Sequence, residues 1–468
     1  MGQIIEFRPS IKGVGAVAGP LRHTDINGGY AADERMAAPD RYTGSRLWEL
    51  NRVQCELRAL SGEELARRLT EAGIRTGLSG PADQAGVWTE QFHQPRQPDL
   101  RYYSVPVYHL EALEVRRIDQ VRNFAPSDWG PRHPIYRRAA ATAVKAIYAL
   151  GLDYGEVQIS CTSSGRLNIT GLALRPHGSS PQLWEAAARG FRQRARAAAV
   201  AEQAAEGEES GMLIGADPEF VLLLPDGRIA PADRYLRQGD TAGPDSLRVG
   251  GKLRYPVAEL RPEPAASPGR LVQNIRQLLL KVSRQTAGVK LRWAAGGMPV
   301  AGVPLGGHIH LSGVWLNARL LRTLDSCLAI PLAAVEGEAG KGRRPRYGVL
   351  GDYRNQPHGG FEYRTPPSWL VSPAAAGAVF ALALLAARDY RDLPLLPAED
   401  PIVREAYYSG NREVLLEAAN EVFQVIRSAR SYPELRGWIE PLAKAVSRKA
   451  TWNEGEDIRL KWKIPVSS

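Results

Sequence analysis

An α+β fold with a mostly antiparallel sheet follows from three features of the sequence. The second half carries strand-like runs (MLIGADPEFVLLL, YPVAELRP, GHIHLSG and GFEYRTP) whose charged or imidazole residues fall at alternate positions. Helix-forming stretches separate these runs, but without the even βαβ rhythm of a parallel sheet. The segment at about 190–210, FRQRARAAAVAEQAAEGEESG, reads as a helix running into a linker that closes in Gly and Ser. It divides the 468-residue chain, too long for one core, into a separate α/β N-terminal domain over 1–205 and a second domain over 211–468.

Residues 1–100 are punctuated by Arg, Pro and Gly and give weak periodicity. The spacing predicts a helix over Gly62–Ala72, with Ser61 as its N-cap. At 135–177 the pattern is clearer. IYRRAAATAVKAIYALG predicts a helix, and GEVQISCT and RLNITGLAL predict a hairpin around the turn signal SSGR. Helix followed by hairpin, with LDYGEV at the junction, resembles the closing part of an ATP-grasp domain. That resemblance implies a Glu and an Asn on the second strand to bind magnesium and ATP. This chain has Gly171, Ala173 and Leu174 there, which implies a degenerate, non-catalytic piece; a generic helix and hairpin fit the same residues.

Downstream, LVQNIRQLLLKVSRQ (271–285) predicts an amphipathic helix, with Ser267 and Pro268 as start signals. QGDTAGPDS reads as a Gly-rich loop, where Asp240 and Asp245 either stabilise turns or supply another carboxylate to a site. Further helices fit LNARLLRTLDSCLAIPLAAVEG, AAAGAVFALALLAARDY and much of 402–450, with Pro331 expected to kink or end the first.

The composition, 44% hydrophobic and 24% charged, is that of a soluble globular protein. A net charge of +10 comes mainly from dispersed Arg. No basic tail and no interleaving of aromatics with basic residues point to nucleic acid. The charge reads as that of a soluble, Arg-rich protein and leaves room for attraction of an anionic substrate such as a nucleotide or an acidic peptide. Cys55, Cys161 and Cys327 are widely spaced with no CxxC pair, which argues against a disulfide framework. MGQIIEFRPS has no signal pattern, and the longest apolar stretch, at 375–387, is too short to span a bilayer. A cytoplasmic protein without membrane attachment is expected.

Four motifs carry the chemistry: GADPEF (215–220), AELRPEP (258–264), GGHIHLSG (306–313) and FEYRTPPSWL (361–370). Side chains at i and i+2 of a strand share a face. Asp217 with Glu219, Glu259 with Arg261, His308 with His310, and Glu362 with Arg364 therefore line one side of a sheet. Close carboxylates repel unless a cation lies between them, and a hard ion such as Mg²⁺ or Mn²⁺ suits their oxygens. The His pair follows two glycines that permit close backbone approach. RRPRYGVLGDYRNQPHGG adds Arg346 and Arg354, suited to clamping phosphate or carboxylate. Arg343 and Arg344 read as a solvated basic loop, and His358 as a turn residue. The set suits divalent metal, polyphosphate and a developing anion, as in an ATP-using enzyme.

In order and spacing, the motifs over roughly 211–390 resemble the phage-type COOH–NH2 ligases (type 2, amidoligases) of the glutamine synthetase and glutamate–cysteine ligase superfamily. The resemblance implies a glutamine-synthetase-like curved antiparallel sheet that holds ATP and divalent ions. A substrate carboxylate would be phosphorylated and the acyl phosphate attacked by an amine. It implies metal binding by Asp217, Glu219, Glu259, His308 and Glu362, with Asp217 standing where the superfamily usually has Glu. It implies phosphate contacts from His310, Arg261 and Arg364, and catalytic roles for Arg364, Arg346 and Arg354. The substrates would be a carboxylate and an amine, on an amino acid, a peptide or a protein, with the N-terminal half favouring something larger than a free amino acid. Alternatives are a metal-dependent hydrolase using His308, His310 and Glu219, a guanidino-type phosphotransferase, or a binding protein on the same scaffold.

Overall fold

Six strands bring the four motifs together in one antiparallel sheet. They run, edge to edge, Tyr353–Asn355, Phe361–Tyr363, Gly307–Ser312, Leu213–Leu223, Lys252–Leu260 and Ala242–Val249. The computed structural model describes residues 50–89, 100–118, 133–204, 211–249, 252–357, 359–394 and 397–466. Helix and sheet are mixed as the sequence predicts, and the sheet curls into a half-barrel.

Alternation sorts the two faces. In the strand of the His pair, Ile309 and Leu311 are buried in the main core while His308 and His310 face the other way. The helix Pro268–Gln285 begins at Ser267 and Pro268, as expected, and buries Leu271, Ile275, Leu279 and Val282 as one stripe. The helix Pro373–Asp389 is apolar on nearly every side because it is enclosed on nearly every side, which accounts for the long apolar stretch. Among the described residues, no helix is long and apolar enough to cross a membrane.

Pro331 does not end its helix. Helical turns run over Ala318–Leu324, widen into a π segment at Asp325–Ala329, and continue over Ile330–Val335. The widening takes up the hydrogen bond that a proline cannot donate. A second correction concerns QGDTAGPDS: Ala242–Val249 is a strand, so Asp245 lies in the sheet rather than in a loop. Asp240 stays outside it, capping Thr241 and pairing with Lys281.

The N-terminal unit also mixes helix and sheet, and its named strands pair antiparallel. Helix Gly62–Glu71 is capped by the Ser61 hydroxyl, which accepts from Glu64 N. Helix Pro134–Ala149 lays Ala139, Ala143, Ala146 and Ile147 on the sheet. The predicted hairpin is Tyr154–Cys161 paired with Leu167–Ala173. Ala173 and Leu174 are core residues, and Gly171 is filled by the Gln158 side chain. The long helix Pro181–Ala204 precedes residues 205–210, where the expected linker lies outside the described residues. The unit has its own apolar core, distinct from the one under the motif sheet.

Candidate active site

Strand register assembles the site. Glu219 pairs directly with Glu259, and Asp217 with His308. His310 pairs with Glu362, and Glu362 with Arg354, giving a polar row across three strands. Each functional group therefore comes from a sheet position with a fixed neighbour.

The carboxylates fall into two groups. Glu219, Asp245 and Glu259 place one oxygen each within 4.8 Å of one another, and Asp217, His310 and Glu362 do the same with their ligand atoms. Val221 and Val257, two residues along the same strand faces from Glu219 and Glu259, belong to a small apolar cluster that adjoins the first group. Burial pushes the Glu219 carboxyl up to about 7, against the pull of His308. Burial, with the charge of Asp217, pushes Glu259 up to about 8. Both rises mark a site where a bound cation would favour the ionised forms of Glu219 and Glu259.

Asp217 behaves differently. Burial raises it, but the His308 and His310 imidazoles on either side more than offset this and hold it well below the usual carboxylate range. Burial lowers His308, but Asp217 outweighs it and the net shift is upward. His308 Nδ1 lies 3.1 Å from Asp217 Oδ1 and 3.3 Å from Glu362 Oε1; His310 Nε2 lies 3.2 Å from Asp217 Oδ2. Among the described residues these approaches do not form aligned hydrogen bonds, and Asp217 Oδ1, His308 Nδ1 and His310 Nε2 are left as buried atoms without one. Orphaned donor atoms on a carboxylate and two imidazoles fit a divalent cation.

Glu362 is buried and heavily engaged. Its Oε1 accepts from Arg354 Nη2 at 2.8 Å and lies 3.1 Å from Arg364 Nε; its Oε2 accepts from Gln356 Nε2 at 2.9 Å. Both arginines keep part of their side chains in solvent. Arg261 pairs with Glu259 and donates to the Asp240 carbonyl. The glycine pair before the histidines packs closely: a Cβ on Gly306 would sit 2.4 Å from His308 Nε2, and one on Gly307 would meet Trp369. Gly306 N also donates to Glu219 Oε2 at 2.6 Å.

The structure brings Asp217, Glu219, Glu259, His308, His310, Glu362, Arg354, Arg364 and Arg261 into one surface. Arg346 is exposed, its guanidinium 5.4 Å from the centroid of the Tyr347 ring, and among the described residues no ion pair ties it to the carboxylates. The reading of Arg343 and Arg344 as a solvated loop is corrected, since both are buried. Arg344 pairs with buried Glu336 and lies over the Tyr407 ring at 4.5 Å. Arg343 donates to the Pro366 carbonyl, with its Nε and Nη1 unpartnered among the described residues. The RR run gives no sign of this, because Glu336 and Tyr407 arrive from other elements. Of the two loop-assigned acids, Asp245 joins the first carboxylate group, because its strand pairs Gly243 with Glu259 and Asp245 with Val257, a register that the Gly- and Pro-rich sequence does not signal. His358 lies outside the described residues.

No curated protein sequence matches the chain. Among solved structures, the complex between the prokaryotic ubiquitin-like protein Pup and its ligase PafA aligns at 11% identity and a TM-score of 0.37, over 51% of this chain and 64% of that one. A bifunctional glutathione synthetase from Pasteurella multocida aligns at 11% identity and a TM-score of 0.35, over 56% of this chain and 52% of that one. GmaS without ligand aligns at 14% identity and a TM-score of 0.31, over 60% and 76%. The chain thus spans less than two thirds of the first two. A family model, phage phiEco32-like COOH·NH2 ligase type 2, matches residues 214–464. That match takes in all four motifs and continues past 390 through the C-terminal helices. Over more than half its length, therefore, this chain belongs to the phage phiEco32-like COOH·NH2 ligase type 2 family.

Proposed function

We propose that the chain is an ATP-dependent carboxylate–amine ligase, forming an amide or peptide bond on an amino-acid or peptide substrate through an acyl phosphate. The observation that carries this reading is the convergence on one sheet face of two cation-suited acid groups and two partly exposed arginines. Divalent ions such as Mg²⁺ or Mn²⁺, held by Glu219, Asp245 and Glu259 and by Asp217, His310 and Glu362, would neutralise the phosphates of ATP.

The chain's own groups do the rest. Arg354 and Arg364, anchored through Glu362, bind the oxygens of the transferring phosphoryl group. His308 sits between Asp217 and Glu362 and orients both. Arg261, fixed by Glu259 and the Asp240 carbonyl, extends the cationic lining at the other end. A substrate carboxylate oxygen takes the terminal phosphoryl group and ADP leaves. The amine nitrogen then bonds to the acyl carbon, phosphate departs with the broken C–O bond, and the amine loses a proton. Transfer of this kind needs positioning and charge compensation more than a protein nucleophile. A hydrolase using His308, His310 and Glu219 would leave the arginine pair without a role.

Nucleotide turnover against pooled carboxylates and amines with Mg²⁺ or Mn²⁺, read by mass spectrometry, tests the proposal. ADP, phosphate and a new mass equal to acid plus amine minus water is the expected result. A phosphorylated product with no amide would replace the ligase by a phosphotransferase, and bond cleavage without ATP would replace it by a hydrolase.

A further inference from the structure

The strands that carry the arginines are held from behind, and the hold comes from the N-terminal unit. Tyr363 lies between Glu362 and Arg364 and points to the opposite face of the sheet. Its hydroxyl donates to Asp325 Oδ1 at 2.7 Å. Gly351 N donates to the same oxygen at 2.9 Å. The other oxygen, Oδ2, accepts from the Tyr148 hydroxyl at 2.7 Å. Tyr148 is on helix Pro134–Ala149 of the N-terminal unit, and Asp325 opens the widened helical turn.

Packing repeats the linkage. Gly351, at φ +69°, lies against the Tyr148 ring so closely that a Cβ there would fall 2.1 Å from a ring carbon. It leads into the strand of Arg354. In that strand the Tyr353 hydroxyl donates to the Leu110 carbonyl at 3.0 Å, again in the N-terminal unit. Arg322 seals the junction, donating to Asp153 Oδ1 and to the Leu152 carbonyl, each at 2.9 Å. The strand Tyr353–Asn355 thus bonds to the N-terminal unit directly, and Phe361–Tyr363 is linked to it through Asp325, by buried or half-buried hydrogen bonds.

We infer that the N-terminal unit is a positioning element for the hairpin of Arg354, Glu362 and Arg364, acting through the positioning residues Tyr148 and Asp325. The inference rests on the reading of that hairpin as part of the active site. It gives the N-terminal unit a role in turnover that requires no ligand of its own.

Tyr148→Phe removes one hydroxyl and keeps the ring. Displacement of a reacting group by about 1 Å can cost on the order of 100-fold in rate, so a kcat loss of at least about tenfold is expected, with the KM for ATP changed less than about threefold. Hydrogen exchange followed by mass spectrometry should show faster exchange over 351–364 and no change over 213–223 or 307–312. Tyr353→Phe, which breaks the second attachment, should behave alike and serves if Tyr148→Phe does not fold. Arg67→Ala removes a contact between the same units, Arg67 to Glu405, away from the hairpin, and should leave both readouts unchanged. Unchanged exchange over 351–364 in both tyrosine variants overturns the inference. So does an equal kcat loss in Arg67→Ala, which would show general docking instead. If the wild type makes no amide, the ligase reading falls, while exchange over 351–364 still decides whether the hairpin is held in this way.

Discussion

At the scale of single residues, the acids of this sheet are not equivalent. Glu219 is pushed up by burial and Asp217 is held down by two imidazoles, although they are neighbours on one strand face. Glu219→Gln removes one carboxylate from the first acid group without altering side-chain size. We expect turnover to fall by roughly two orders of magnitude or more with the fold retained; near-normal activity in a steady-state assay would remove Glu219 from the site. Asp325 supplies a pH signature away from the acid groups. Burial pushes its carboxyl up to about 6, against its hydrogen bonds from Tyr363, Gly351 and Tyr148 and the charge of Arg404. A carboxyl with a raised folded-state value binds its proton more tightly when folded. Its contribution to stability is therefore greatest below the unfolded value near 4 and is lost as pH rises through about 6. For a carboxyl raised to about 6 the loss is on the order of 3 kcal/mol. Asp325→Asn should remove that slope. Urea unfolding of both proteins between pH 4.5 and 7 measures it, and a wild-type-to-mutant difference that does not vary with pH would refute the assignment.

At the scale of elements, the junction of turn and strand at Gly306-Gly307 is where packing and chemistry meet. Gly306→Ala places a methyl against the His308 ring, a movable side chain, so the cost should appear in function more than in stability. A kcat reduction of about tenfold with a Tm within a few degrees of wild type is expected; a large Tm loss with intact kcat would contradict it. Alternation made the face of Asp217, Glu219, Glu259, His308 and His310 legible in the sequence, because period-two patterning needs no knowledge of tertiary neighbours. The strand of Asp245 was hidden because Gly239, Gly243 and Pro244 send turn signals that pairing with Lys252–Leu260 overrides. At Pro331 a local rule predicted a kink or an end; the helix does not end there but continues, with one wider turn just before the proline. The burial of Arg343 and Arg344 was not legible at all, since it depends on Glu336, Tyr407 and Pro366 converging from separate elements.

At the scale of the whole molecule, the main apolar cores of the two units meet through apolar as well as polar contacts: Tyr148 and Leu110 pack against the larger core, Tyr408 against both, and Trp315 against Phe191. The chain's irregular helix and strand spacing indicated the class of the second unit; it carried no sign that Tyr148 and the Leu110 carbonyl of the first would bond to it. Separate cores of unequal size need not lose their packing at the same temperature. The smaller N-terminal core should melt first, and its melting would release Tyr148 and the Leu110 carbonyl together. Heat inactivation should then run ahead of the loss of helix signal, so that turnover stops while most of the chain is still folded. A calorimetric scan with parallel activity sampling checks this, and coincident loss of activity, helix and both cores would rule it out. On that outcome, the temperature range of turnover would be set by the unit that carries none of the candidate site's ionisable groups.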